Sequence, residues 1–320
     1  MRLPESRFNI APRTRRSRSA GRRVATVAVI TVVTALLVGL VFLVIRMRTP
    51  IVPIAETRDT EDALELWNSK DYEGVIERTS VQLDEYPLDE TALSLRGFSR
   101  FYLAVQMVET EQKQQLLIGA VRDLRRALLH EDPALAPEIH YVLGKTFFTM
   151  GSFFYDEAIR ELEKARALGL DQLDLLEYLA IASENLRRYD DAVAYFEAAI
   201  ARNNEAIHKV SLADLLIDLE RYEYAEDLLS DAIDADPDNT LLQHAYLSRG
   251  RLYRAVGDYD AAVSEYESLL EINSSSAEAH FGLGETWLAL GDNERARFEW
   301  REAIRLDPNH IESLQRLREY

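Results

Sequence analysis

Residues 277–310 read AEAHFGLGETWLALGDNERARFEWREAIRLDPNH, and their pattern decides the fold. Leu283, Gly284 and Trp287 fall on one face of a first helix. Gly291 sits where a left-handed cap would end that helix, because glycine alone carries no Cβ penalty at positive φ. Ala296, Trp300 and Ala303 then share one face of a second helix, and Asp307-Pro308 stops it. A short turn between two such helices predicts a helical hairpin.

The same small–large–small spacing returns along the chain. Its other copies are Ala120-Leu124-Ala127, Ala158-Leu162-Ala165, Ala192-Phe196-Ala199, Ala225-Leu229-Ala232 and Ala262-Tyr266-Leu269. Only the copy at 262 ends on a large residue. The leading alanines lie 38, 34, 33, 37 and 34 residues apart. A period near 34 predicts stacked hairpins. The small residues let a neighbouring helix approach and the large one fills the gap between helices. The expected class is an all-α solenoid.

These residues resemble the tetratricopeptide repeat family, whose unit has Leu-Gly, an aromatic, Gly-x-Tyr, Ala, a large apolar residue, Ala and Pro at the same offsets. The preceding unit, 243–276, matches through Gly250, Tyr253, Gly257, Tyr259, Ala262 and Tyr266. Units 206–242, 173–205 and 137–172 match through Leu212, Ala213 and Tyr222, through Leu179, Ala180 and Tyr189, and through Leu143, Gly144 and Phe147. Unit 137–172 has two extra residues at its turn, within Ser152-Phe153-Phe154-Tyr155. In unit 90–136, Gly97 and Ala120 are 23 residues apart, and Val108 to Gln115 reads as a longer first helix and a polar loop. A degenerate unit fits 56–89. The resemblance implies a solenoid of about seven units over 62–310, closed by a capping helix at 311–320.

Ahead of the repeats the chain changes character. Val24 to Ile45 is 22 residues without a charge, about 33 Å as a helix and enough for a bilayer core. In lipid its many β-branched residues would still be helical, because the backbone has no other hydrogen-bond partners. The expectation is one transmembrane helix at 24–45, a basic cytoplasmic tail at 1–23 and a linker at 46–61. Eight Arg precede the segment, so the positive-inside rule places the N-terminus in the cytoplasm and the repeats in the periplasm or otherwise outside it. A signal peptide cut after Ala55 is the weaker reading, since Pro53 spoils that site.

Charge divides the same way. Residues 1–48 carry ten Arg and one Glu, so with −18 for the whole chain the remainder carries −27. An acidic solenoid repels phosphate backbones, which argues against nucleic acid as partner. The absence of cysteine removes disulfides, thiol nucleophiles and Cys-ligated zinc. The six histidines lie ten or more residues apart and form no H-E-x-x-H pair. No phosphate-cradling glycine run occurs. We expect no enzyme, cofactor or metal.

The resemblance also implies a groove that binds extended peptides or helices. Family offsets bring to it Phe98 and Phe101, then Glu138, Tyr141, Lys145 and Phe148, then Asp174, Glu177, Ile181 and Glu184, and finally His244, Leu247, Arg251 and Arg254. The groove is expected to run from aromatic through acidic to a basic pair, Arg251 and Arg254. Phe98, Phe101, Tyr141 and Phe148 either pack between units or anchor a partner. Phe153, Phe154 and Tyr155 either lengthen a helix or stand exposed as a docking point. The Lys and Asn set with which some members hold a peptide's terminal carboxylate is missing.

The functional expectation is a membrane-anchored scaffold for assembling an envelope complex. The basic tail, the apolar segment and the aromatic-rich turn resemble membrane-anchored subunits of periplasmic flagellar collars. The alternative is a periplasmic chaperone or secretion accessory that binds client polypeptides. Partners are proteins at the repeat surface and the membrane at 24–45, and self-association is left open.

Overall fold

The computed structural model describes residues 58–235 and 237–320. The basic tail 1–23, the apolar segment 24–45 and residues 46–57 of the linker lie outside the described residues. Among the described residues no helix is long and apolar enough to cross a membrane.

Residues 58–320 form one compact unit of stacked helical hairpins. The first pairs α1 (Arg58–Asn68) with α2 (Tyr72–Glu85), the second α3 (Glu90–Val105) with α4 (Glu111–Ala127), and the third α5 (Ala136–Thr149) with α6 (Tyr155–Ala167). Next come α7 (Leu175–Asn185) with α8 (Tyr189–Asn203), and α9 (Ala206–Asp218) with α10 (Tyr222–Asp234). The last two pair α11 (Asn239–Val256) with α12 (Tyr259–Ile272) and α13 (Ala277–Ala289) with α14 (Asn293–Leu306). Helix α15 (Ile311–Glu319) lies against α14. Helix α1 starts at Arg58, inside the stretch read as linker.

Caps and turns explain the hairpin boundaries. Asp71, Thr110, Asp258 and Asp292 each accept a backbone N–H in the first turn of a second helix. The tight turns place one residue in the left-handed region: Gly257 and Gly291 at φ +84°, and Lys70, Arg187 and Glu220 at +58° to +61°. The cap at Thr110 corrects the reading of 108–115. Helix α3 stops at Val105, Gln106–Thr110 is the turn, and Glu111–Gln115 opens a 17-residue second helix. The chain inserts its extra length at the start of α4.

The motif's small residues work as anticipated, with a complement on the facing helix. A Cβ on Gly97, Gly144 or Gly250 would fall 2.5–2.6 Å from Leu124, Leu162 or Tyr266, and one on Gly284 would strike Trp300. Each glycine therefore admits the large residue of its own hairpin. Two hairpins carry alanine at this position, Ala180 and Ala213, buried in one core cluster with Phe196 and Leu229. The core is this row of interlocked pairs, continued between hairpins by buried leucines.

Three residues after the leading alanine, four second helices carry an acid that pairs within the hairpin. Asp123 is fully buried and receives Arg96 at 2.8 and 3.0 Å, and also Arg100. Glu265 receives Arg249 at 2.9 Å. Glu161 and Glu299 meet His140 and His280, each at 2.6 Å. Neither histidine is a free core residue; both belong to this repeated polar lock.

Candidate protein-binding surface

The first helices α5, α7, α9, α11 and α13 present side chains to one another across the stack, as pairings 29 to 34 residues apart show, and Phe101 brings α3 to the same face beside Lys145. This is the inner face. Its N-terminal stretch is aromatic. Trp67 lies 5.6–6.1 Å from Tyr72, Phe98 and Tyr102, and Tyr102 lies 5.2 Å from Phe101. The run continues on α5 and α7, where Phe148 makes edge contact with Tyr178 at 4.9 Å and tilts on Tyr155 at 5.2 Å.

Lys145 occupies the middle of this run. Its ammonium lies 4.9 Å from the Tyr141 and Tyr178 rings and 5.9 Å from Phe101. It donates to Asp174 Oδ2 at 2.8 Å and to Tyr141 Oη at 3.1 Å, and Tyr141 Oη donates to Asp174 Oδ1. Burial opposes the charge on Lys145, but its bonds to Asp174 and Tyr141 outweigh it and raise the pKa. Burial likewise disfavours ionised Asp174, yet the Lys145 and Tyr141 bonds hold its carboxyl below the usual range. Burial, with the Asp174 bond, pushes the Tyr141 phenol up. The cluster is therefore a neutralised ion pair walled by rings, with Phe101 and Tyr141 buried and Tyr102, Phe148 and Tyr178 half-buried.

One hairpin further on, the inner face turns acidic. Glu184 on α7 faces Asp214 and Asp218 on α9. Burial first, then those two carboxylates, push the Glu184 carboxyl up. Asp214 accepts from Ser248 at 2.6 Å and pairs with His244 at 2.9 Å. That bond to Asp214 raises the His244 imidazole above its ordinary 6.5. A cleft of about 270 Å³ opens here, lined by Glu184, Asn185, Tyr189, Leu215, Asp218 and Leu219.

The basic pair is divided between neighbours. Arg251 reaches back to Asp218 at 3.4 Å and Asp214 at 3.7 Å. Arg254 reaches forward to Glu285 at 3.6 Å, which Arg316 of α15 also holds at 2.7–2.8 Å. So the structure gathers Phe101, Tyr141, Lys145 and Phe148 into one cluster, places Phe98 beside Trp67, and ties Arg251 and Arg254 into ion pairs.

The turn aromatics separate. Ser152–Phe154 is a single 3₁₀ turn, and α6 begins at Tyr155. Phe154 stacks on Phe147 at 6.0 Å, while Phe153 stays 87% exposed. Tyr102, Tyr178, Asp214 and Asp218 were absent from the residues expected in the groove. Tyr178 lies four residues after Asp174, and helical spacing was the signal that could have found it.

Comparison with known proteins agrees with this geometry. The tetratricopeptide repeat family model matches residues 154–207 and 247–311, and a model of the fourth ARM domain of tetratricopeptide repeat protein 21 matches 185–253. The TPR repeat-containing protein YpiA of Bacillus subtilis is 23% identical over 57% of this chain and 42% of its own length. Anaphase-promoting complex subunit 3 of Schizosaccharomyces pombe is 22% identical over 52% of this chain and 25% of its own. The chain thus spans less than half of these relatives. Among solved structures, the C-terminal part of a TPR repeat-containing protein from Cytophaga hutchinsonii superposes with a TM-score of 0.63 at 17% identity, covering 80% of this chain and 98% of that one. That likeness is one of fold.

Proposed function

We propose that this chain, whose solenoid is built of tetratricopeptide repeats, is a scaffold that acts by binding proteins and is held to a membrane by residues 24–45. The observation that carries the binding role is the aromatic run on the inner face, where half-buried Tyr102, Phe148 and Tyr178 lie on successive hairpins. Half-buried rings on a rigid support give a large contact area at small entropic cost, which suits them to partner anchoring. The uncharged 22-residue segment and its Arg-rich flank support the anchor and the outward placement of the repeats. The assembly proposed is an envelope complex; the collar resemblance rests only on the tail, the apolar segment and the turn at 153–155.

Photo-crosslinking tests the reading. A benzophenone side chain replaces Tyr178 in one full-length variant and Phe298, which is 57% exposed on α14, in another. A scaffold gives one or two discrete adducts from Tyr178. A ladder of many clients would favour the chaperone reading, and no adduct at Tyr178 would defeat inner-face binding. Protease treatment of intact spheroplasts tests the topology: the repeats should be digested and the N-terminal tail spared.

A further inference from the structure

Beyond the aromatic run, the inner face has an acidic stretch whose charge is not balanced among the described residues. Glu177, Glu184, Asp214 and Asp218 project from α7 and α9. The cations facing them are Arg251, His244 and His208, whose Nε2 is 3.9 Å from Glu177. Glu184 makes no ion pair among the described residues. Arg251 holds Asp218 only at 3.4 Å, and the Asp218 side chain is 68% exposed. Glu184, partly buried beside Asp218 and Asp214 with no ion pair of its own, is costly to keep charged. Leu215, Leu219 and the Tyr189 ring wall the cleft between Glu184 and Asp218. Apolar walls beside two acids fit one kind of side chain well: a long aliphatic stem ending in a delocalised cation.

The neighbouring aromatic stretch completes the match. Tyr178 and Glu184 share α7 six residues apart, about 9 Å along the axis and about a third of a turn around it, with Tyr178 toward α5 and Glu184 toward α9. An extended segment that crosses α7 between them takes about four residues. The groove is therefore apolar and then anionic over a length that one short peptide spans.

We propose that the inner face docks a partner segment carrying an aromatic residue and, about four positions on, an arginine. The ring lies on Phe148 and Tyr178, and the guanidinium enters the cleft between Glu184 and Asp218. Its planar fork serves two carboxylates at once, which an ammonium does less well. This inference rests on the scaffold reading for its inner-face partner and adds that partner's chemistry.

The test uses the full chain in detergent and fluorescein-labelled twelve-residue peptides of Gly and Ser, read by anisotropy. One peptide carries Phe and Arg four positions apart; in the others Arg becomes Glu, or Phe becomes Ser. The Phe/Arg peptide should bind about tenfold or more tighter than the Phe/Glu peptide, a difference that about 1.4 kcal/mol produces. Glu184→Gln with Asp218→Asn should abolish that preference and leave the circular dichroism unchanged. Asp190→Asn with Asp191→Asn removes equal charge from exposed positions on α8 and should leave the preference within twofold. Equal binding of the Arg and Glu peptides would overturn the proposal, as would equal loss in both variant pairs, which is bulk attraction. Adducts at Tyr178 with no Arg preference would leave the scaffold standing and defeat the partner chemistry. An acid-dependent Arg preference without Tyr178 adducts would do the reverse.

Discussion

Replacing Gly284 with alanine should destabilise the last hairpin, although alanine is the better helix former. The new Cβ would lie 2.5 Å from Trp300 Cδ1, where 3.4–4 Å is ordinary contact. Either the indole or helix α13 must therefore shift by about 1 Å. Trp300 is rigid and fully buried, so it has no free rotamer to take. Overpacking of this kind costs about 1–3 kcal/mol, and the helix-propensity gain of Gly→Ala returns about 1 kcal/mol. The net loss is up to about 2 kcal/mol, or a fall of up to about 1 M in the urea midpoint followed at 222 nm. The compensating change already exists elsewhere in the molecule, where Ala180 and Phe196 occupy the equivalent positions in one buried cluster. Trp300→Phe should therefore rescue Gly284→Ala. Alone, Trp300→Phe leaves a gap beside glycine and lowers the midpoint. The double-mutant cycle should show favourable coupling of about 1 kcal/mol or more. A Gly284→Ala midpoint at or above that of the parent, or strictly additive effects, would refute the interlocking argument.

Asp123→Ala leaves Arg96 and Arg100 facing each other without their carboxylate and should cost about 3–5 kcal/mol, read as a large drop in thermal midpoint; a change under 1 kcal/mol would show that the buried triad contributes nothing. Arg187 holds φ +59° in a hairpin turn where Gly257 and Gly291 stand in other repeats, so Arg187→Gly should stabilise by up to about 1 kcal/mol, and a lower melting temperature would contradict the turn argument. The His244 pKa is raised in the folded state by Asp214, so its contribution is fully present below the unfolded value near 6.5 and is lost as pH rises through the folded value. His244→Gln should thus trail the parent in stability at pH 5.5 and draw level by pH 8.5, by well under 1 kcal/mol because the side chain is half exposed; the imidazole should also titrate lower in Asp214→Asn when followed by proton NMR.

Much of the fold was legible because a repeat array is locally determined. Ala296, Trp300 and Ala303 share a face through 3.6-residue geometry alone, and Gly291 ends its helix for reasons inside its own backbone. Each hairpin's packing partner is the next hairpin, at a nearly constant sequence distance, so one unit predicts its neighbours. Where the repeat lapsed, local rules decided differently. Thr110 capped a second helix that the spacing alone had left to a longer first one, and Gly151 led into a 3₁₀ turn that left Phe153 in solvent while turning Phe154 onto Phe147.

The surface divides along the same line. The offsets implied by the family resemblance set Phe101, Tyr141, Lys145 and Phe148 on one side of the array, because that depends only on position within each helix. Tertiary structure alone decided what those side chains do there. Lys145 is neutralised by Asp174, 29 residues away, Arg251 and Arg254 are drawn to acids on opposite sides, and Glu184 is left with like charges. A helical period fixes direction, but partner choice depends on the rise and rotation between hairpins, and those are set by how each glycine or alanine receives the large residue packed against it.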